Sequence, residues 1–244
     1  MSTRDDYPSQ HPILFSGPMV RAIMEGRKTQ TRREVKWSRK TPFEYLGGCR
    51  EDAEWNDPSM WGYETTAGEM MVLAAMGDGD YQIPCPYGDV GDRLWVRESW
   101  RYYDWTEDGD PYIQYRADDA VNICNPTADW SQRVMDIWAD LSAQNNFARH
   151  AAARDTSWRP STHMPRWASR INLVITDVRV ERLQSIDYDD IVAEGWDVTR
   201  SRPITDGRAG DDARAWWRSQ WECTGWYAAN PWVWALTFRS VASS

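Results

Sequence analysis

The 244-residue sequence has no long hydrophobic run, and it contains only 4 Phe, 3 His and 4 Cys. No stretch approaches the roughly 20 apolar residues that cross a bilayer, and the polar start at Met1 lacks the apolar segment of a secretory signal. We therefore expect a cytoplasmic protein with no membrane partner.

The four cysteines, Cys49, Cys85, Cys124 and Cys223, contain no Cys-x-x-Cys pair. This spacing argues against a disulfide framework and predicts reduced structural thiols. Metal ligands need only meet in space, so a zinc site formed by Cys49, Cys85, Cys124 and His163 stays open. The prediction is nevertheless no metal and no cofactor.

A net charge of −9 disfavours a protein that holds nucleic acid by non-specific attraction. The charge is uneven, because residues 21–40 have a local charge of +6 and the remainder therefore has −15. This asymmetry predicts either an anionic ligand beside the basic segment or acidic neighbours that balance it. The basic residues are Arg21, Arg27, Lys28, Arg32, Arg33, Lys36, Arg39 and Lys40.

Tryptophan is abundant, with 17 residues. Indole rings supply bulk for a core and a flat face on which a nucleobase can stack. We expect most of these residues to pack internally, and we name Trp95 and Trp167 as candidates for stacking a base.

The basic segment begins with a short capped helix. Ser16 suits an N-cap, Pro18 suits the first turn and Gly26 suits the end, which predicts a helix over 18–25. The residues after Gly26 alternate as in a strand, which places Lys28 and Arg32 on one face and Thr31 on the other with Thr29 and Arg33. A bulge or turn near Lys28 would bring both faces into one cleft.

The run Gly-Arg-Lys-Thr-x-Thr-x-Arg at 26–33 resembles the signature of the ASCH domain, a member of the PUA-like superfamily. Four further blocks resemble a larger, phage- and prophage-associated type, which would place the protein in a host cytoplasm. The resemblance implies an α+β fold, with a mixed or antiparallel PUA-like β-barrel, short helices and large insertions. The blocks are Pro-Ile-Leu-Phe-Ser at 12–16, Pro-Cys-Pro-Tyr-Gly at 84–88, Gly-Asp-Arg-Leu-Trp-Val-Arg-Glu at 91–98 and His-Met-Pro-Arg-Trp-Ala-Ser-Arg at 163–170.

We predict a single domain over 11–242 after a flexible tail at 1–10. Its core comprises 11–36, 84–118, 158–198 and 230–242, with insertions at 37–83, 119–157 and 199–229. Periodicity predicts strands at 12–15, 93–99, 112–116, 170–183 and 232–238, and helices at 131–154, 187–194 and 211–222. The strand at 170–183 should contain a bulge that moves the buried face from Ile171, Leu173 and Ile175 to Val178 and Val180.

Family members that hydrolyse N4-acetylcytidine use a Lys, a Thr and a Glu, and the resemblance assigns these roles to Lys28, Thr31 and Glu194. The chemistry suits an exocyclic amide, because deacylation needs a nucleophile or activated water, a base, and an acid for the leaving amine. The substrate would be a modified, N4-acylated pyrimidine nucleoside or nucleotide. Candidate ligand-binding residues are Ser16, Pro18, Met19, Arg27, Arg32, Arg33, Trp95, Arg97, Glu98, His163 and Trp167.

Two other functions remain open at this point. PUA-like barrels commonly recognise nucleic acid, so the chain could be a module that reads a modified base in single-stranded DNA or RNA. RNA cleavage ranks third, because the motif lacks a His pair for acid–base chemistry. Each candidate also has an ordinary structural role open to it, with Lys28 as a surface charge, Thr31 as a strand former and Glu194 as a solvated helix end.

Overall fold

A computed structural model describes residues 8–35, 47–48, 61–64, 70–74, 81–82, 85–106, 110–124, 157–200, 209–222 and 224–241. These residues form a mixed α+β structure of β-sheets with short helices. The strands are β1 (Gln10–Leu14), β2 (Gln30–Glu34), β3 (Gly47–Gly48), β4 (Trp61–Glu64), β5 (Met70–Ala74), β6 (Tyr81–Gln82), β7 (Arg93–Arg97), β8 (Trp100–Trp105), β9 (Pro111–Tyr115), β10 (Val121–Ile123), β11 (Asn172–Arg182) and β12 (Trp232–Val241). The α-helices are α1 (Gly17–Met24), α2 (Tyr188–Ala193), α3 (Ala209–Glu222) and α4 (Trp226–Ala229).

The largest sheet has five strands in the order β1-β7-β11-β12-β2. Strand β12 pairs antiparallel with β2, which places Thr31 opposite Leu236 and Arg33 opposite Trp234. The sheet is open within the described residues, since its order begins at β1 and ends at β2 without a pairing between them. The described part of the chain therefore shows open sheets where sequence predicted a closed barrel.

The other strands of the described residues form two smaller sheets. Strands β8, β9 and β10 form an antiparallel sheet with a bulge between Tyr102 and Asp104. Strands β3, β4, β5 and β6 form the other, in which β5 and β6 are parallel. The strands predicted from periodicity did not include β3, β4, β5, β6, β8 or β10.

The chain divides into two compact units, each with its own hydrophobic cluster. The first unit comprises Met1–His11, Glu25–Arg93 and Val174–Arg239, and the second comprises Pro12–Met24, Leu94–Leu173 and Ser240–Ser244. The cluster of the first unit is Leu183, Ile186, Ile191, Ala213, Trp217 and Val233, and that of the second is Trp100, Ile113, Tyr115, Cys124, Met164 and Ala168.

Helix α1 lies one residue earlier than predicted. The carbonyl of Ser16 accepts a hydrogen bond from the backbone N–H of Val20 at 2.9 Å, so Ser16 occupies the N-cap position. The helix buries Val20, Ala22 and Ile23 on one face. Gly26 then adopts φ +73°, a left-handed conformation that glycine tolerates, and the chain turns into β2.

Strand β11 changes its buried face as predicted. Leu173 and Ile175 are buried at a two-residue spacing, and the next buried residue is Val178, three positions later, whereas Val180 is only half-buried. The strand then delivers Glu181 toward the basic segment within the first unit.

Helix α2 is fixed at its start by a side-chain cap. The Asp187 carboxylate accepts a hydrogen bond from the backbone N–H of Asp190 at 2.8 Å. Asp187→Ala is expected to lower the free energy of unfolding by about 1 kcal/mol, because it leaves this N–H without its cap. Urea unfolding measures the change, and Asp189→Ala, at an exposed residue in the same turn, is the matched control. Equal stability of the two variants would contradict the cap's role.

Most predicted elements are present with shifted ends. Strand β1 begins at Gln10, the last residue of the predicted tail, and residues 1–7 lie outside the described residues. The predicted helix at 131–154 also lies outside them, as do Cys49 and Cys223. The single domain with three insertions stays a prediction, although α3, within the predicted insertion at 199–229, supplies Trp217 to a core cluster.

In the described stretches, every helix is too short or too polar to cross a membrane.

Candidate functional site

Lys28 is the buried centre of the basic segment. It has 2% of its surface exposed and pairs through its backbone with Glu194, 166 positions later. Its ammonium donates to Glu194 Oε2 at 2.6 Å, to the Gln30 carbonyl at 2.7 Å and to the Glu194 carbonyl at 3.0 Å. Burial lowers the pKa of Lys28 below its usual 10.5, with Arg33 and Arg32 lowering it further and Glu194 opposing the shift.

Glu194 joins the two cations of this face of the strand. It directly follows α2 and is 6% exposed. Its Oε2 accepts from Lys28, and its Oε1 accepts from Arg32 Nη1 at 3.1 Å. This confirms the prediction that Lys28 and Arg32 share one face of the segment.

Arg32 is fully buried among carboxylates. Its Nε donates to Glu181 Oε1 at 2.7 Å and its Nη2 donates to Asp190 Oδ2 at 2.6 Å. Its guanidinium carbon lies 5.6 Å from the centroid of the Trp217 ring. Burial alone would lower the pKa of Arg32, but the charges of Glu194, Glu181 and Asp190 outweigh it and raise the pKa.

Asp190 extends this network. Its carboxylate accepts from Gln30 Nε2 at 2.9 Å and from Arg179 Nη2 at 3.1 Å, in addition to Arg32. Gln30 Oε1 in turn accepts from Arg32 Nη1 at 2.5 Å. Burial would raise the pKa of Asp190, but the Gln30 hydrogen bond and the two arginines outweigh it and lower the pKa.

Thr31 and Arg33 lie together on the opposite face of β2, as the alternation predicted. Arg33 Nη1 donates to Thr31 Oγ1 at 2.7 Å, so the hydroxyl keeps its own proton for a second partner. Thr31 is 1% exposed. Burial lowers the pKa of Arg33. The charges of Tyr87 and Glu194 act in the opposite direction and reduce this shift.

Acidic neighbours balance much of the charge in the basic segment. Lys28, Arg32 and Arg179 contact three carboxylates, which belong to Glu181, Asp190 and Glu194. Arg27 lies at the surface, where it pairs with Glu25 and donates to the Gly195 carbonyl at 3.1 Å. Residues 36–40 lie outside the described residues, so these charge pairings concern only the part of the segment before residue 36.

The remaining predicted site residues belong to the second unit. Ser16, Pro18 and Met19 lie at the start of α1, and His163 lies in a 3₁₀ turn. Glu98 is buried and its carboxylate binds Arg170 at 2.8 and 3.0 Å, which gives it a structural partner. Trp167 packs edge-on against Trp100 at 6.3 Å. Trp95 and Arg97 lie on β7 and contact each other. The structure thus brings the three predicted catalytic residues, with Arg27, Arg32 and Arg33, into one unit and the other candidates into the second.

No cluster of three or more His, Cys, Asp or Glu side chains suited to a metal ion occurs in the part of the chain that the structure describes. Cys85 and Cys124 are free thiols. Cys49, the remaining cysteine of the zinc hypothesis, lies outside that part.

A cavity of about 910 Å³ opens on the sheet of β8, β9 and β10. Its described lining combines two tyrosines and two aliphatic residues with Asp104, Thr106 and Asn122. None of the predicted site residues is part of this lining, which consists of Tyr103, Asp104, Thr106, Tyr112, Val121, Asn122 and Ile123.

Several residues of the network escaped the sequence analysis. Asp190 lies four positions before Glu194, and this helical spacing is a local signal that could have identified it. Tyr87 lies in one of the resemblance blocks. Glu181 and Trp217 contact Arg32 from distant parts of the chain, and nothing local in the sequence marks them.

Comparison of the chain with protein-family models, curated proteins and solved structures gives no match. The assignment of a function therefore depends on the motif and on the geometry around Lys28.

Proposed function

We propose that this protein hydrolyses an exocyclic amide on a modified pyrimidine, an N4-acylated cytidine nucleoside or nucleotide, through Lys28, Thr31 and Glu194. The observation that carries the proposal is the 2.6 Å contact between Lys28 Nζ and Glu194 Oε2, both buried, at the start of the strand that presents Thr31. The same three residues are the ones that the resemblance to the ASCH signature assigns to catalysis.

The pair of Lys28 and Glu194 supplies the acid–base step. A neutral Lys28 amine accepts the proton of the attacking water or, through a bridging water, that of Thr31 on the opposite face of β2, and burial favours that neutral form. Glu194 holds the resulting ammonium by charge and by the hydrogen bond at Oε2. The same proton passes to the exocyclic nitrogen as the amide C–N bond breaks, which releases the free amine of the pyrimidine.

Thr31 supplies the hydroxyl or positions the water that attacks the amide carbon. Attack by Thr31 gives an acyl ester that water then hydrolyses, and attack by water gives the carboxylic acid directly. In both routes the products are the acid and the deacylated base. Arg33 Nη1 donates to Thr31 Oγ1 at 2.7 Å, so its charge stabilises negative charge that develops on Thr31 Oγ1.

The proposal includes membership of the PUA-like group through an ASCH domain. Its support is the sequence signature, followed by the arrangement of α1, the turn at Gly26 and β2. The five-stranded sheet that contains β2 is open within the described residues, so it does not itself support this part of the proposal.

Turnover of N4-acetylcytidine and of its 5′-monophosphate tests the proposal. The purified protein is incubated with each compound, and cytidine or CMP is followed by mass spectrometry. We expect deacetylation of at least one compound. Binding of the acetylated compounds without turnover would instead favour a modified-base binding module, and the hydrolase proposal would fall.

The rate should depend on pH through Lys28. We expect kcat/KM to rise with pH along a limb whose midpoint lies below 10.5, because only the neutral amine accepts a proton. Initial rates between about pH 6 and pH 10 measure this limb. A rate that falls over the whole interval would contradict Lys28 as the base.

A further inference from the structure

Strand β7 carries an aromatic and a cationic side chain on one of its faces. Leu94 and Val96 are buried at 0% and 1% exposure. The two-residue period of a strand places Trp95 and Arg97 on the opposite face, and both are partly exposed. The second unit therefore presents a polar, aromatic surface from a strand whose other face is part of the core.

Two arginines share the Trp95 ring. The guanidinium carbon of Arg97 lies 5.3 Å from the ring centroid and that of Arg166 lies 5.9 Å from it. Arg166 Nη2 also donates to Asn172 Oδ1 at 2.8 Å, and both guanidinium groups lie against the indole. Their like charges repel each other, and an anion that binds both would relieve the repulsion. We refer to Trp95, Arg97 and Arg166 as the Trp95 cluster.

Arg97 retains hydrogen-bonding capacity. Its Nη2 donates to the carbonyl of Thr162. Its Nε is shielded from solvent and has no hydrogen-bond partner among the described residues. No ion pair of Arg97 with a carboxylate is present in the described stretches. A shielded N–H on a charged group is costly unless an acceptor reaches it.

The segment that carries Arg166 is held firmly in the second unit. Met164 and Ala168 on either side of it are buried, while Arg166 itself is exposed. The backbone N–H of Glu98 donates to Met164 Sδ at 3.4 Å, and Ser169 Oγ donates to the Val96 carbonyl at 2.8 Å. These contacts fix the segment along β7, so the cluster is ordered before any ligand arrives.

We propose that the Trp95 cluster binds the phosphate group of a nucleotide, either free or within single-stranded nucleic acid. Guanidinium forks match phosphate oxygens in geometry and charge, and the unpaired Nε shows that the Arg97 guanidinium is not fully satisfied by protein acceptors. The partly exposed indole offers an adjoining surface to the base. This site is independent of amide hydrolysis, because it lies within the second unit and needs no acyl group.

Isothermal titration calorimetry with CMP, cytidine and a 12-nucleotide single strand tests the proposal. We expect wild-type protein to bind CMP or the strand, and to prefer CMP to cytidine about tenfold or more because cytidine lacks the phosphate. Arg97→Gln should weaken phosphate-dependent binding about tenfold, and Arg166→Gln several-fold. Arg116→Gln, at an exposed arginine of the same unit that contacts Trp158, is the matched control and should bind within about twofold of wild type.

The salt dependence of the affinity distinguishes a nucleic-acid strand from a free nucleotide as the source of the phosphate. Affinity for a nucleic-acid strand should fall steeply between about 50 and 200 mM salt, whereas affinity for CMP should change little. Since neither probe carries an acyl group, the measurement does not depend on turnover. If Arg97→Gln fails to fold, Arg166→Gln at the exposed position decides the result. Absence of wild-type binding to both phosphate probes, or binding by both variants equal to that of Arg116→Gln, would overturn the proposal.

Discussion

Lys28→Met is expected to lower kcat/KM for N4-acetylcytidine hydrolysis by about 10³-fold, within the range that loss of a general base produces. Methionine keeps the length and much of the volume of lysine, so the apolar stem stays packed while the amine is removed. Glu194 would retain Arg32 as a partner at 3.1 Å, which limits the electrostatic penalty to the fold. The loss should therefore appear mainly in the rate.

Arg218→Met is the control for Lys28→Met. Arg218 is an exposed cation on α3 that pairs with Glu222 at 3.1 Å, and its removal should leave the rate unchanged. Turnover by Lys28→Met within a few-fold of Arg218→Met would exclude Lys28 as the base. The same two proteins also report stability by urea unfolding, which separates a folding defect from a catalytic one.

Arg32→Met is expected to lower the free energy of unfolding by about 3–5 kcal/mol, because it removes one partner from a buried ionic network. Arg32 contacts Glu181, Asp190 and Glu194 at once. Without it, three carboxylates share the charges of Lys28 and Arg179. The substitution therefore leaves buried negative charge without the cation that contacts all three carboxylates.

The loss of unfolding free energy caused by Arg32→Met should also depend on pH. The pKa of Asp190 is depressed in the folded protein, so its pairing contributes stability that is fully present above its usual value of 3.8 and is lost as pH falls through the lower folded pKa. The difference between wild type and Arg32→Met should therefore shrink as the solution is acidified below 3.8. Urea unfolding at neutral and acid pH, with the exposed-pair variant Arg218→Met alongside, measures this. A difference that grows on acidification would contradict the role assigned to the carboxylates.

Local sequence features predicted the faces of the basic segment. Strand alternation after Gly26 placed Lys28 with Arg32 and Thr31 with Arg33, and the hydrogen bonds confirm both pairs. This part was accessible because the side-chain period of a strand depends only on neighbouring residues.

The partners of the segment were less accessible. Glu194 was selected through resemblance to a family motif, and its contact with Lys28 agrees with that selection. Glu181 and Trp217 reach Arg32 from β11 and α3, and no periodicity links positions so far apart in the chain. From the sequence alone, the charge of the basic segment could be balanced either by an anionic ligand or by acidic neighbours. The contacts of Arg32 with Glu181, Asp190 and Glu194 show acidic neighbours at this residue.

The small antiparallel sheet shows a different limit of sequence reasoning. The run Trp-Arg-Tyr-Tyr-Asp-Trp at 100–105 does not alternate cleanly, because a bulge between Tyr102 and Asp104 changes the register with β9. The exposed strand β10 has no buried face to generate a pattern. Both strands are defined by hairpin pairing with β9, which the residue pattern within a single strand does not reveal.

The most direct test of the account is kcat/KM for N4-acetylcytidine with wild type and Thr31→Val, measured together with urea unfolding. Valine replaces the hydroxyl with a methyl group of similar size, so it removes the oxygen together with the hydrogen bond that this oxygen accepts from Arg33. The account predicts turnover by the wild type and a loss of at least about 100-fold in Thr31→Val, with the variant still folded. Equal turnover by the two proteins, or no turnover by the wild type, would contradict it.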